Sequence, residues 1–162
     1  MLNRRQRQMS IRDSDGTEIV YVLRVPTQKI IALNLSVGSR LPAFCTSMGR
    51  VLLSGLPEER LDIVLRESDR RPRTQRTITE VDALKAVIAG VREQGWALVD
   101  QELEEGLISL SAPIRNRAGD IIAAMNISGQ ANRTSARQMT KQFLGPLQQA
   151  AERISAMVRV RT

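Results

Sequence analysis

Apolar and polar positions along the chain change period three times. Near the N-terminus they alternate by two: Ile19, Tyr21, Leu23 and Val25 share one side of the segment 18–25, the pattern of a half-buried strand. A short strand near Met9–Arg12 precedes it across the turn cluster Asp13-Ser14-Asp15-Gly16, and Lys29–Leu35 is a further β-type run after Pro26-Thr27-Gln28. The period then becomes helical. Leu41-Pro42 opens an extended segment, Thr46 or Ser47 is a natural N-cap, and the apolar helix that follows stops at Gly55. Pro57 suits a first helical position, and Leu61, Val64 and Leu65 give the next helix its buried side. Thr79-Glu80-Val81-Asp82 resembles a capping box, with Leu84, Val87, Ile88 and Val91 behind it at helical spacing and Gly95 as the stop. Period two returns over Trp96–Leu103, Leu107–Ile114 and Asp120–Ser128, with turns at Glu104-Glu105-Gly106 and Asn116-Arg117-Ala118-Gly119. From about Ser135 to Val158 the chain is helical again, with a stripe of Met139, Phe143, Leu147, Ala150, Ile154 and Met157. Gly145-Pro146 is expected to kink or split that helix. The order strands, helices, strands, helix predicts an α+β fold on a mainly antiparallel sheet of about six strands.

The last hairpin has two unlike faces. With residues 116–119 as its loop, Arg115 faces Asp120, Ser109 falls opposite Asn126, Ser111 opposite Ala124 and Leu107 opposite Ser128. One face carries Ile108, Leu110, Ala112, Ile114, Ile121, Ala123, Met125 and Ile127, all apolar. The other carries Leu107, Ser109, Ser111, Ile122, Ala124, Asn126 and Ser128, without one Lys, Arg or Glu. Small apolar residues interrupted by hydroxyl and amide groups are what a small-ligand cavity offers. A half-exposed face, or a core whose Ser and Asn bond to nearby backbone, gives the same pattern.

Composition narrows the chemistry. At 162 residues the chain is one domain with a real core, residues 10–162, preceded by a polar and basic linker remnant over residues 1–9. There is no histidine, so the usual general base, the common zinc ligand and every Ser-His-Asp arrangement are missing. The single cysteine, Cys45, cannot build a metal site or an internal disulfide, and fits a reducing cytoplasm. No catalytic residue, metal or cofactor is expected, and no apolar run reaches the ~20 residues of a membrane helix. The net charge of +7 comes mostly from arginines scattered through loops, with a cluster at Arg70, Arg71, Arg73 and Arg76. Aromatic residues are 2% of the chain, too few for a single-strand stacking platform. The acidic run Asp100-Gln101-Glu102-Leu103-Glu104-Glu105 reads first as a solvated strand end and turn, with Asp100 as its candidate ligand contact. The amides that open the helix after Thr46 favour an anion, and Gly49 lets a ligand or another backbone come close.

Several segments in order resemble the IclR family of bacterial transcription regulators. Leu41-Pro42 through Thr46-Ser47-Met48-Gly49-Arg50-Val51-Leu52-Leu53 resembles the signature that opens the family's first effector-domain helix. Thr77-Ile78-Thr79, Gly95-Trp96-Ala97, Asp100 through Leu107, Ala112-Pro113-Ile114 and Ile127-Ser128-Gly129 with Arg133 follow in the family's order. Ser47 stands where Ala is usual, and Gln130 where Pro is usual. The resemblance implies a GAF-like effector-sensing domain, closest to regulators of β-ketoadipate and hydroxybenzoate breakdown. It implies a small carboxylate held by Ser47, Met48, Gly49, Asp100, Ser109, Asn126 and Ser128, and a homodimer or homotetramer. DNA contact is expected only through a winged helix-turn-helix that residues 1–9 are too few to form. A ligand-free oligomerisation module is the alternative.

Overall fold

The computed structural model describes residues 7–10, 16–23 and 36–161. Strands β1 (Arg7–Ser10), β2 (Glu18–Leu23) and β3 (Arg40–Pro42) lead into helices α1 (Ser47–Ser54), α2 (Glu58–Glu67) and α3 (Val81–Gln94). Strands β4 (Ala97–Asp100), β5 (Leu107–Arg115) and β6 (Ile121–Gln130) follow, and α4 (Ala136–Arg161) closes the described chain. The strands form one sheet in the order β3-β2-β1-β6-β5-β4. Every neighbouring pair is antiparallel, as hairpin connections allow.

Two apolar clusters lie on opposite faces of this sheet. One gathers Phe44, Met48, Val51 and Leu53 around α1 with Leu61 and Leu65 of α2, Leu84 and Ile88 of α3, and Ala124 of β6. The other sets Ile108, Leu110, Ala112, Ile114, Ala123 and Met125 against Met139, Leu147 and Ala151 of α4. Strand alternation sorts β5 and β6 between them.

Gly95 ends α3 at φ +81°, as a left-handed C-cap requires. Other boundaries differ from the sequence expectation. Strand β1 starts at Arg7, so residues 7–9 of the expected linker join the sheet. The turn at 13–15 and the run Lys29–Leu35 lie outside the described residues. The N-cap of α3 is Glu80, without a side-chain cap bond, rather than a Thr79 capping box. The Thr79 carbonyl instead accepts from Arg70 Nε at 2.9 Å. Helix α4 runs unbroken through Pro146. Gln142 and Pro146 both lie on the exposed side, where water can take the carbonyl the proline leaves unpaired. Its buried line passes through Met139, Leu147 and Ala151 while Phe143 and Met157 are exposed, so the predicted stripe is rotated.

Candidate functional site

Helix α1 is the centre of the molecule: all eight of its residues are buried. A buried helix has to satisfy its own ends, and this one does so with specific side chains. Thr46 is the N-cap, its Oγ1 accepting the Gly49 N–H at 3.2 Å. At the other end Arg92 of α3 donates from Nε to the Ser54 carbonyl at 2.8 Å and from a terminal nitrogen to the Leu56 carbonyl at 2.9 Å. That places a cation at the negative end of the helix dipole. Gly55 has φ −82°, so no left-handed conformation demands it. A Cβ there would lie 3.1 Å from Ile121, and contact with β6 is its constraint.

Gly49 has a sharper constraint. A Cβ at this position would sit 2.1 Å from the Ala43 carbonyl oxygen and 2.4 Å from its Cα. Of the two roles the sequence left open, close approach of another backbone is the one the structure assigns. Met48 is 2% exposed and packs into the α1 cluster. The Arg50 N–H is taken by the Thr46 carbonyl; among the described residues no acceptor pairs with the Ser47 and Met48 amides.

The serine-bearing face of the hairpin packs against this helix start. Pairing places Ser109 opposite Ser128, Ser111 opposite Asn126 and Leu107 opposite Gln130. The register is two residues away from the expected one: Arg115 faces Ile121 rather than Asp120, and a bulge at Ile114/Arg115 adds the second step. A shift of two preserves the faces, so the polar residues stay together. Only the end of the strand inverts: Ile121 packs with the α1 cluster and Ile122 is 40% exposed, the reverse of the expectation.

Four of the seven predicted site residues converge here. Ser47 Oγ donates to Ser109 Oγ at 2.9 Å and lies 2.7 Å from Ser111 Oγ. Asn126 Nδ2 donates to Ser109 Oγ at 3.0 Å and to Ser128 Oγ at 2.9 Å, and Ser109 and Ser128 are 3.1 Å apart. One hydroxyl has one proton and two lone pairs. Ser111 therefore donates to Ser47, Ser47 to Ser109, and Ser109, with both lone pairs filled, to Ser128. Among the described residues two groups of the network are left over: the Ser128 proton, and Asn126 Oδ1, which is buried with no partner. Ser111, fully buried, belongs to this network and was not among the predicted site residues, although its alternation with Ser109 was visible.

Asp100 does not join them. It pairs with Ile108 across the β4–β5 ladder, which puts it on the face opposite Ser109. Its carboxylate instead accepts from Arg76 at 2.9 Å. Cys45 is fully buried just before α1, and burial pushes its thiol up from 9.0 to about 12, against smaller lowering by Arg73 and Arg50, which disfavours the thiolate. Among the described residues no group of His, Cys, Asp or Glu is placed to hold a metal ion, and no helix is long and apolar enough to cross a membrane.

Known proteins share this fold. Residues 4–156 match the family described as bacterial transcriptional regulator IclR C-terminal. The Pca regulon regulatory protein of Pseudomonas putida is 43% identical over 140 residues, covering 86% of this chain and 48% of that protein. The chain spans about half the length of such relatives. A solved structure from Rhodococcus sp. RHA1 has a TM-score of 0.87 at 44% identity, over 93% of this chain and 59% of that one. The inducer-binding domain of PobR from Acinetobacter, a double mutant in complex with 3-hydroxybenzoic acid, has a TM-score of 0.83 at 28% identity, over 93% and 86%. The chain belongs to the IclR C-terminal family of bacterial transcriptional regulators.

Proposed function

We propose that this domain senses a small hydroxylated carboxylic acid, an aromatic acid or a β-ketoadipate-pathway intermediate, and thereby modulates promoter binding by a full-length regulator. The frame is a GAF-like sensor, and the site is the start of α1 against the Ser109–Asn126–Ser128 patch. The observation that carries this is the pair of loose ends. A ligand hydroxyl can accept from Ser128 and donate to Asn126 Oδ1, completing a network that the protein leaves open. The unpaired Ser47 and Met48 amides suit the carboxylate at the other end of such a molecule. PobR, a structural relative, is described with 3-hydroxybenzoic acid bound to its inducer-binding domain, and a relative in Acinetobacter baylyi is named a p-hydroxybenzoate hydroxylase activator. Asp100 is a weaker candidate, since its carboxylate is engaged by Arg76 on the other face.

The ligand favours one arrangement of α1 against the sheet, and that difference in affinity is what shifts the geometry of DNA-binding domains in a homodimer or homotetramer. A ligand-free oligomerisation module is the second reading, and the direct Ser47–Ser109 and Ser47–Ser111 bonds favour it, because they fill the space between α1 and β5. Calorimetric titration with 3-hydroxybenzoate, 4-hydroxybenzoate, protocatechuate and β-ketoadipate separates the two. Saturable heat with at least one supports the sensor; no heat with any of them leaves the oligomerisation module.

A further inference from the structure

Two parts of the sequence that resemble the family signature, Gly49-Arg50 and Asp100-Gln101-Glu102, are 52 positions apart, yet the structure joins them through buried charge. Arg50 is 2% exposed, and each of its three guanidinium nitrogens donates a hydrogen bond. Nε donates to the Phe44 carbonyl at 2.9 Å, and the two terminal nitrogens donate to Glu102 Oε2 at 2.7 Å and Oε1 at 2.6 Å. This is the bidentate fork that arginine makes and lysine cannot. Glu102 Oε1 also accepts the Ile78 N–H at 3.1 Å, and the Glu102 carbonyl accepts from Thr77 Oγ1 at 2.6 Å. One residue back, the Gln101 carbonyl accepts from Thr74 Oγ1 at 2.6 Å. The segment entering α1, the β4–β5 connection and the α2–α3 connection therefore meet at one ion pair.

Resting on the effector-site assignment above, we infer that Arg50 is its positioning residue, and that the Arg50–Glu102 pair ties occupancy of the α1 start to the Thr74–Ile78 connection. Burying two charges costs desolvation that packed apolar side chains do not incur, so stability alone does not explain the pair. What it supplies is direction. The fork fixes the Phe44 carbonyl two residues before the N-cap, and so fixes where the Ser47 and Met48 amides point. A ligand pulling on those amides moves Phe44 and Arg50 together, and Glu102 cannot follow without disturbing its bond to Ile78. The Thr74–Ile78 connection continues the arginine-rich segment 70–76, in which Arg71, Arg73 and Arg76 are exposed while Thr74, Thr77 and Ile78 are half-buried.

Hydrogen exchange of this chain, with and without 4-hydroxybenzoate, reads the coupling directly. In the wild type the ligand slows exchange at the Met48 and Gly49 amides and, through the pair, at Ile78. In the double variant Arg50→Met with Glu102→Leu the apolar pair preserves the fold, affinity falls about tenfold, about 1.4 kcal/mol, and the slowing at Ile78 disappears. Slowing at Met48 without slowing at Ile78 in the wild type overturns the coupling, as does wild-type affinity and coupling in the double variant. If the wild type binds no probe at all, the effector assignment fails and the tie is judged without ligand. Thr77→Val, which loosens the connection from outside the core, then accelerates exchange at Gly49 if the tie exists. An unchanged Gly49 rate contradicts it.

Discussion

The two faces of the β5–β6 hairpin are made from alternate residues of the same strands and obey different physics. The face toward α4 is Ile108, Leu110, Ala112, Ile114, Ala123 and Met125, held by burial that has no direction. The face toward α1 replaces much of that with Ser109, Ser111, Asn126 and Ser128. Polar groups in the same degree of burial need partners at set angles, and a closed set of hydroxyls and one amide cannot satisfy all of them. The apolar face is complete by itself. Among the described residues the polar face ends in an unused acceptor and an unused donor, the feature on which the proposed ligand site rests.

Substitutions on the two faces should separate stability from binding. The largest loss is expected from Gly49→Ala, because its new methyl meets Ala43 backbone rather than a flexible side chain. Denaturant unfolding should show a loss of about 3 kcal/mol or more. Leu110→Ala on the α4 face should cost about 2–5 kcal/mol while the surviving folded protein keeps wild-type affinity for the hydroxybenzoates. Asn126→Ala should do the reverse. It removes two donated hydrogen bonds but also the orphaned acceptor, so stability should change by about 1 kcal/mol or less. Its ligand affinity should fall by about tenfold or more. A Leu110→Ala variant that lost affinity without unfolding, or an Asn126→Ala variant that bound normally, breaks the division of labour between the faces.

The effect that vanishes at neutral pH concerns Cys45, at the edge of the α1 cluster. Its folded thiol is raised from 9.0 to about 12, so the native state binds more protons than the unfolded one above pH 9. Its contribution is complete below pH 9 and fades as pH rises toward 12. The wild type should therefore lose stability over that window more steeply than Cys45→Ala. Equal slopes in the two proteins contradict the burial argument. The native thiol should also resist alkylation at neutral pH.

Much of this was legible because it rests on periodicity. The two hairpin faces, the ends of α1 and the Gly95 stop of α3 follow from alternation and from turn residues, while the meeting of Ser47 with Ser109 and Asn126 was implied by the family resemblance. The bulge at Ile114/Arg115 was not, since no residue there signals it, and it exchanged Ile121 with Ile122. The role of Gly49 depended on Ala43, whose approach is a property of the folded chain. The link from Arg50 to Glu102 joins residues far apart in sequence, and no local pattern pairs them. The position of Asp100 depended on the β4–β5 register: Val99 pairs with Ser109, so Asp100 falls one position out of phase with that face.

The most direct test of the open-ended polar face is a paired calorimetric titration of the wild type and Asn126→Ala with 4-hydroxybenzoate and with benzoate, which lacks the hydroxyl. The wild type should prefer the hydroxylated acid by about tenfold or more, and Asn126→Ala should bind the two acids alike. Equal affinity of the wild type for both acids, or an undiminished preference in the variant, would contradict it.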